Sequence, residues 1–331
     1  MNNKVMQFII ILIILLNRKV DTFQKWTYDD QKAWSIDNKE CSDHYQSPIN
    51  INPNDLILND SLKIEFHNYN QPSSNYRVTN HGHSVQFDYI GDSIMVPMIT
   101  GSALNGKEFA LQQFHFHWGL EPKFGSEHRI DDHIYPIEMH LVHYNHDEYQ
   151  SFSQALQSRN ENVAVLAIFF DIQNKNNPDF DVISEKIQHL QTTHTNYSID
   201  LQDRLILQFL LPKNIRNFYR YHGSFTTPPC TTNVTWLVMN QPNEIGFIQY
   251  EKFKNVIDHK SGKPIGNNYR QLQQLNGRKI ECSFQHHQQQ QNNNNNNGDH
   301  SNKSISMIII LVLSIIDLLA FLTLSKFYMF K

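Results

Sequence analysis

The chain has 331 residues, of which 40% are hydrophobic and 18% charged, a balance that excludes wholesale disorder and allows one large domain or two ordinary ones. Its formal net charge is −4, so it lacks the basic excess that suits a nucleic-acid surface, and we expect no nucleic-acid partner. Three cysteines are too few for a disulfide scaffold. The 18 histidines justify a search for metal-ligand spacing, because histidine is a common metal ligand.

The N-terminus carries a short apolar segment, residues 5–16, behind Lys4. This segment is too short to span a bilayer comfortably and lies where a secretory signal belongs, so residues 1–22 are predicted to be a signal peptide. The following Asn-Arg-Lys at residues 17–19 lacks the usual small-residue cleavage site, which leaves an uncleaved N-terminal anchor open.

The C-terminus contains a longer apolar segment, residues 305–325, which matches the thickness of a bilayer core. Lysines in the short tail, residues 326–331, fit a cytoplasmic end behind an extracellular or luminal domain of the cell membrane or a secretory-pathway membrane. Asp317 would be costly in the membrane, and the sequence also fits a lipid-anchor signal whose tail is removed, so both kinds of anchor stay open. Residues 285–304 are rich in Gln and Asn and are predicted to be a low-complexity linker.

Cysteine and asparagine positions suit a secreted domain. Cys41 and Cys230 lie within the predicted globular segment, and we predict that they pair, with a stabilisation of about 4 kcal/mol in the chain-entropy model. Cys282 is then left over. Acceptor triplets that we predict to be N-glycosylated begin at Asn59, Asn196 and Asn302. A further triplet begins at Asn233, where a glycan is doubtful because the surrounding run is apolar and strand-like.

Residues 24–284 are predicted to form a single, mainly β domain. Helical periodicity is convincing only around residues 149–157 and 179–190. Short apolar runs, several with a period of two, are separated by Gly, Pro and Asn clusters and lie at residues 64–66, 85–89, 114–118, 138–144, 163–170, 205–211 and 234–239. We therefore expect a large, mostly antiparallel central sheet with peripheral short helices.

The stretch Gln-Phe-His-Phe-His-Trp, residues 113–118, carries the strongest chemical signal. Residues two apart on a strand face the same side, so Gln113, His115 and His117 share one face and the aromatic residues share the other. Two imidazoles therefore converge over an aromatic core face. An isolated pair of this kind would more often be core histidines with satisfied hydrogen bonds.

A second segment adds a third imidazole, because Glu138 and His140 share a strand face in the same way. If the two strands pair, His115, His117 and His140 surround one ion and leave a fourth position open, which is typical of catalytic zinc. Gln113 and Glu138 are then positioned to hold the other ring nitrogens of these histidines.

Six motifs follow one another along the predicted domain. They are Gln-Ser-Pro-Ile-Asn-Ile (46–51), Asn-His-Gly-His (80–83), Gln-Phe-His-Phe-His-Trp-Gly (113–119), Gly-Ser-Glu-His (125–128), Glu-Met-His-Leu-Val-His (138–143) and Gly-Ser-Phe-Thr-Thr-Pro-Pro-Cys (223–230). In this order they resemble the α-class carbonic anhydrases, of the membrane-tethered extracellular type, over essentially the whole domain. Six motifs in register are far more specific than any one of them.

The resemblance implies reversible hydration of CO2 to bicarbonate and a proton by zinc-bound hydroxide. It assigns zinc to the three histidines named above and their orientation to Gln113 and Glu138. Thr226 matches the threonine that accepts a hydrogen bond from the hydroxide and donates one to a glutamate, here Glu127. His83 matches the histidine that shuttles the proton to buffer, a task that suits an imidazole pKa near 6.5.

The resemblance also implies an apolar CO2 site, lined by Val142, Val165, Phe225 and Trp236. Tyr28 and Thr227 match positions that order water and bicarbonate. Three positions depart from the family pattern: His81 replaces an asparagine beside the shuttle, Phe225 replaces a leucine, and Gln271 replaces a proline. We expect these departures to affect the rate more than the reaction, with His81 either perturbing the water chain or acting as a second proton carrier.

Two other functions stay open. A carbonic anhydrase-related binding or adhesion module would keep the fold and lack catalysis, although such domains typically lack one or more zinc histidines. A zinc hydrolase of esters would use the same metal chemistry as a weak side activity. Protein partners are not predictable from the sequence.

Overall fold

The computed structural model describes most of the chain, namely residues 26–158, 160–191, 198–258 and 261–285. Several predictions concern residues outside these ranges and stay predictions: the signal at 1–22, the linker at 285–304 beyond its first residue, the anchor at 305–325, the tail at 326–331 and glycans on Asn196 and Asn302. Within the described ranges, no helix is both long enough and apolar enough to cross a membrane.

A 13-stranded mixed sheet forms the centre of the described domain. The strands of the described ranges, in chain order β1 to β17, are Asn50–Ile51, Leu56–Leu58, Glu65–His67, Tyr76–Asn80, Val85–Tyr89, Met98–Thr100, Phe109–Trp118, Arg129–Ile130, Ile137–Asn145, Val163–Gln173, Ser198–Asp200, Phe218–Ser224, Thr232–Met239, Asn243–Gly246, Ile257–Asp258, Lys263–Pro264 and Ile280–Cys282. The main path through the large sheet is β11-β4-β5-β7-β9-β10-β13-β12-β17-β2. Most of its neighbours are antiparallel, whereas β10 pairs in parallel with β13 and β14, and β17 with β2. The predicted fold class is confirmed.

Short helices lie around the sheet. The α-helices of the described residues, α1 to α4 in chain order, are Trp34–Asp37, Phe152–Gln157, Asp181–Leu190 and Phe247–Lys254. Short 3-10 helices lie at Tyr28–Ala33, Lys39–Ser42, Pro53–Asp55, Ser102–Leu104, Pro178–Phe180 and Leu207–Leu210. The two predicted helical regions contain α2 and α3. The apolar run at residues 205–211 forms a 3-10 helix at its centre instead of a strand of the sheet, and it is apolar because Leu207 and Leu210 are buried.

The alternation of β7 separates the core from the site. Phe114, Phe116 and Trp118 are fully buried on one face, where the apolar residues of α3 and α4 also pack. The histidines of the same strand lie on the other face, as the period of two predicts. That face continues across β9, β10 and β13 as a smaller apolar cluster that contains Val142, Val165 and Trp236. The packed aromatic layer therefore supports the site from behind.

The predicted disulfide between Cys41 and Cys230 is confirmed and joins two segments 189 positions apart in the sequence. Both cysteines pack with Trp34 in a small buried cluster near the N-terminal end of the domain. The guanidinium of Arg270 donates a hydrogen bond to the carbonyl of Cys41 at 3.0 Å. Cys282 is a buried free thiol whose Sγ donates to the carbonyl of Phe284.

Candidate metal centre

Three imidazoles meet where β7 and β9 lie side by side. The antiparallel register sets His115 directly opposite His140 and His117 opposite Glu138. The centroids of the three rings are 4.6 to 5.3 Å apart. Each ring offers one nitrogen, and these three atoms lie within 4.8 Å of one another. The pairing of these two strands therefore assembles the histidine triad that the spacing predicts.

Each of these rings is oriented by a hydrogen bond from its other nitrogen. The bonds join His115 Nδ1 to Gln113 Oε1 at 2.9 Å, His117 Nδ1 to the Asn268 carbonyl at 2.7 Å, and His140 Nε2 to Glu138 Oε1 at 2.6 Å. All three partners accept, so each bonded nitrogen carries the proton and the opposite nitrogen keeps its lone pair. His117 Nε2 is buried and makes no hydrogen bond. Three neutral imidazoles with inward lone pairs are a donor set that fits Zn²⁺.

Burial keeps the triad neutral. It lowers the pKa of His115, His117 and His140, and for the first two the neighbouring rings lower it further because two charged imidazoles would repel each other. The neutral ring is the form that coordinates a metal. The site is therefore prepared to bind a cation without first losing protons at neutral pH.

A buried hydrogen-bond network extends behind the triad from Glu138, which is 0% exposed. Its Oε1 accepts from both His140 and His128, and its Oε2 accepts two backbone N–H groups at 2.8 Å each. The network continues from His128 Nε2 to the Tyr221 hydroxyl at 2.6 Å, which in turn donates to Ser47 Oγ. Burial alone would raise the pKa of Glu138, but His128 and His140 hold it well below its usual range. Glu138 is therefore a buried carboxylate with all its acceptor sites used.

Glu127 is the second buried carboxylate at the site. Its Oε1 accepts the backbone N–H of Arg270 at 2.7 Å, and its Oε2 lies 3.4 Å from His117 Nε2. Burial raises the pKa of Glu127 well above its usual range and the nearby Glu138 raises it further, while a hydrogen bond with Thr226 acts in the opposite direction. The predicted pair of Thr226 and Glu127 is thus brought together beside the triad.

A cavity of about 100 Å³ opens in front of the triad. Its lining includes every predicted pocket and water-ordering residue other than His81: Tyr28, His83, Val142, Val165, Phe225, Thr226, Thr227 and Trp236. Ser84 and Gln86 of the β4–β5 region also line it and have no role in the sequence-based prediction. The lining combines apolar side chains with hydroxyl, amide and imidazole groups.

His83 lies at the cavity wall and is partly exposed. Its Nδ1 is 3.2 Å from the carbonyl of His81, and its ring packs edge-on against Trp26 with centroids 5.0 Å apart. His81 lies beside it, with ring centroids 5.9 Å apart; it is also partly exposed and does not line the cavity. Burial lowers the pKa of His81, and its Nε2 is buried without a hydrogen bond. Of the two histidines, His83 is therefore the one that lines the cavity.

The other departures from the family pattern also have a structural setting. Phe225 faces the cavity and packs edge-on against Phe152 of α2, with centroids 6.5 Å apart. Gln271 donates its backbone N–H to Gln31 Oε1 at 2.8 Å, a bond that a proline at this position would lack. Gln31 also donates to the carbonyl of Tyr269, so this loop is tied to the N-terminal 3-10 helix.

Sequence reasoning missed the groups that act from behind the triad. Ser47 and His128 stand inside two of the quoted motifs, so the motifs themselves are a signal that could have found them. Tyr221 lies on β12, and its hydroxyl reaches His128 only through the packing of distant strands. Asn268 contributes a backbone carbonyl, and such a group has no sequence signature.

The matches to known proteins cover the same part of the chain. Residues 29–284 match the family described as eukaryotic-type carbonic anhydrase. Carbonic anhydrase 6 of Homo sapiens is 34% identical over 292 residues, with 83% of this chain and 89% of the relative covered. Carbonic anhydrase 12 of Homo sapiens is 31% identical over 271 residues, with coverage of 78% and 73%. Carbonic anhydrase 7 of Homo sapiens is 33% identical over 243 residues, with coverage of 72% and 89%.

Proposed function

The chain belongs to the eukaryotic-type carbonic anhydrase family, and on that basis we propose that it is a zinc-dependent enzyme that interconverts CO2 with bicarbonate and a proton. The observation that carries the proposal is the triad itself. Three ring nitrogens within 4.8 Å of one another remain after Gln113, Asn268 and Glu138 have bound the other three. His115, His117 and His140 would hold the zinc.

Zinc bound at this triad would supply a Lewis acid that lowers the pKa of water to about 7. The residues of the chain then do the positioning. The hydroxyl of Thr226, which is paired with the buried Glu127, accepts a hydrogen bond from the reacting oxygen. This bond fixes the direction of the lone pair on that oxygen. Thr227 and Tyr28 hold water and bicarbonate at the polar side of the cavity. CO2 forms few hydrogen bonds, so it binds at the apolar part of the cavity. That part is formed by Val142, Val165, Phe225 and Trp236.

His83 would carry the product proton from the cavity to buffer. It lines the cavity and is partly exposed, so it can reach both the cavity and the solvent, and histidine is the side chain that most often transfers protons in catalysis. His81 does not line the cavity, and we infer that it supports the loop that carries His83.

We further propose that residues 24–284 form an extracellular or luminal catalytic domain. Residues 1–22 would serve as the signal, residues 285–304 as the linker, and residues 305–325 as a transmembrane helix or lipid-anchor signal. The disulfide between Cys41 and Cys230 supports this location, because disulfides persist in oxidising compartments. Asn59 lies within the described ranges and is partly exposed, and it stays a proposed glycosylation site.

The test is CO2 hydration by the purified full chain, compared with His117→Ala and with His133→Ala, which changes a histidine outside the triad. We expect fast hydration by the native chain and the His133 variant, and loss of both activity and zinc in the His117 variant. A native chain that binds zinc and leaves CO2 unchanged would contradict the proposal and favour the binding-module alternative. Turnover of esters above that of CO2 would favour the ester hydrolase.

A further inference from the structure

The pairing of β12 with β13 contains an irregularity at one asparagine. Gly223 lies opposite Val234 and Ser224 opposite Thr232, so the register skips Asn233, the extra residue of a bulge. Its backbone has a φ of 69°, in the left-handed region that asparagine adopts more readily than most residues. Asn233 is partly exposed, whereas the apolar residues that follow it along β13 are buried.

Two open depressions meet at this bulge, with volumes of about 530 and 890 Å³. Asn233 lines both of them, together with Glu161, Arg220 and His222. Thr235, two residues further along the strand, lines the smaller depression. Asn233 and the buried Thr235 therefore both line the smaller depression, called the groove below, whereas the next residue, Trp236, lines the candidate metal cavity.

The two residues that share this groove form an acceptor triplet for N-linked sugar, Asn233-Val234-Thr235. The left-handed backbone explains an asparagine at the bulge, but it places no demand on the residue two positions later. The nearby Cys230 is disulfide-bonded, which indicates the oxidising compartment in which such sugars are attached. The sequence made this triplet doubtful because it lies in an apolar run, and the structure removes that objection, since the apolar side chains face inward.

We propose that Asn233 carries an N-linked glycan whose first sugars lie in this groove. The proposal rests on the secretory location proposed above. The groove has polar and charged walls that can hydrogen-bond to sugar hydroxyls, and it is wide enough to hold a bulky substituent on the amide. The groove shares no lining residue with the cavity at the metal centre, so the glycan leaves access to the triad open.

The test uses the full chain, secreted from a eukaryotic host in two forms. One form has its own first 22 residues, and the other has a secretion signal of the host in their place. Treatment with an N-glycosidase in heavy-oxygen water labels each asparagine that carried a glycan, and peptide mass spectrometry locates the label. We expect label on Asn233 in most chains of both forms.

Three variants separate a glycan from other causes of the label. Asn233→Asp removes the acceptor but keeps a residue that tolerates the left-handed backbone, and Thr235→Val removes the triplet but keeps Asn233 and the branched side chain. Both should lose the label at position 233, whereas Thr235→Ser should keep it, and CO2 hydration should not change in Asn233→Asp.

Two results would overturn the proposal. One is an unlabelled Asn233 in chains secreted under the host signal, and the other is label that persists in Thr235→Val. Label found only under the host signal would support the glycan site and refute the secretory function of residues 1–22.

Discussion

Replacement of Glu138 by glutamine should weaken zinc binding although Glu138 does not face the metal position. Its two oxygens receive four hydrogen bonds: two from the imidazoles of His140 and His128, and two from backbone N–H groups. A glutamine offers one oxygen and one NH2 group, so two of these donors face another donor in either orientation of the amide.

Each orientation has a definite cost. If the NH2 faces His140, the ring must carry its proton on Nδ1, the nitrogen of the triad, and it then ceases to be a metal ligand. If the NH2 faces the backbone, two buried N–H groups lose their acceptor, at a cost of about 1–3 kcal/mol for each. Loss of an orienting partner of this kind typically weakens metal affinity by about 10- to 100-fold, or about 1.4–2.8 kcal/mol.

The assay is a zinc titration in competition with a chromophoric chelator, at neutral pH, on native protein, Glu138→Gln and Glu148→Gln. Glu148 is a matched control, since it is a half-exposed carboxylate paired with Lys107 away from the triad. The reasoning would be refuted by a folded Glu138→Gln protein that binds zinc as tightly as the native chain and the control.

Three further outcomes follow from the structure. His83→Ala should lower turnover in dilute buffer by about a hundredfold, and added imidazole should restore much of it, because free imidazole then carries the proton in place of His83. Stopped-flow rates at rising imidazole concentration measure this rescue, and its absence would contradict the role. Phe225→Leu should raise ester turnover more than CO2 turnover, because the Phe225 ring lines the cavity and is bulkier than leucine, and equal changes for both substrates would count against that role. Burial lowers the pKa of His143 to about 3 in the folded chain. In the unfolded chain this histidine binds a proton near pH 6.5, whereas in the folded chain it stays neutral, so the free energy of unfolding falls on acidification. Between pH 7.5 and pH 5 this residue should lower the free energy of unfolding by about 2 kcal/mol. Denaturant unfolding at several pH values measures this dependence, which should be lost in His143→Gln; the same pH dependence in the variant and the native chain would disprove it.

Period-two patterns were sufficient to predict much of the sheet. Residues 85–89 form β5 with the predicted bounds, and the opposite faces of residues 113–118 follow directly from strand geometry. The run at 205–211 shows the limit, because burial of apolar residues against a sheet does not require them to be in it. Helix α4 was not predicted, since its buried side chains include the polar Gln249 and its apolar residues do not form a clear stripe.

The candidate site divides in the same way. Residues on one strand could be assigned to the site from spacing alone, as His115 and His117 show. Groups that reach the triad from distant loops could not, because their position depends on the closure of the whole fold; the Asn268 carbonyl lies 151 positions from His117. The lowered pKa of His81 likewise depends on what packs around its ring and not on its neighbours in sequence.

The most direct test of the account is a zinc titration of the metal-free chain during continuous measurement of CO2 hydration. The account predicts that activity rises in proportion to added zinc and stops rising at about one zinc per chain, since one triad with an open fourth position binds one ion. Activity of the metal-free chain equal to that of the zinc-loaded chain, or stoichiometric zinc binding without hydration, would contradict it.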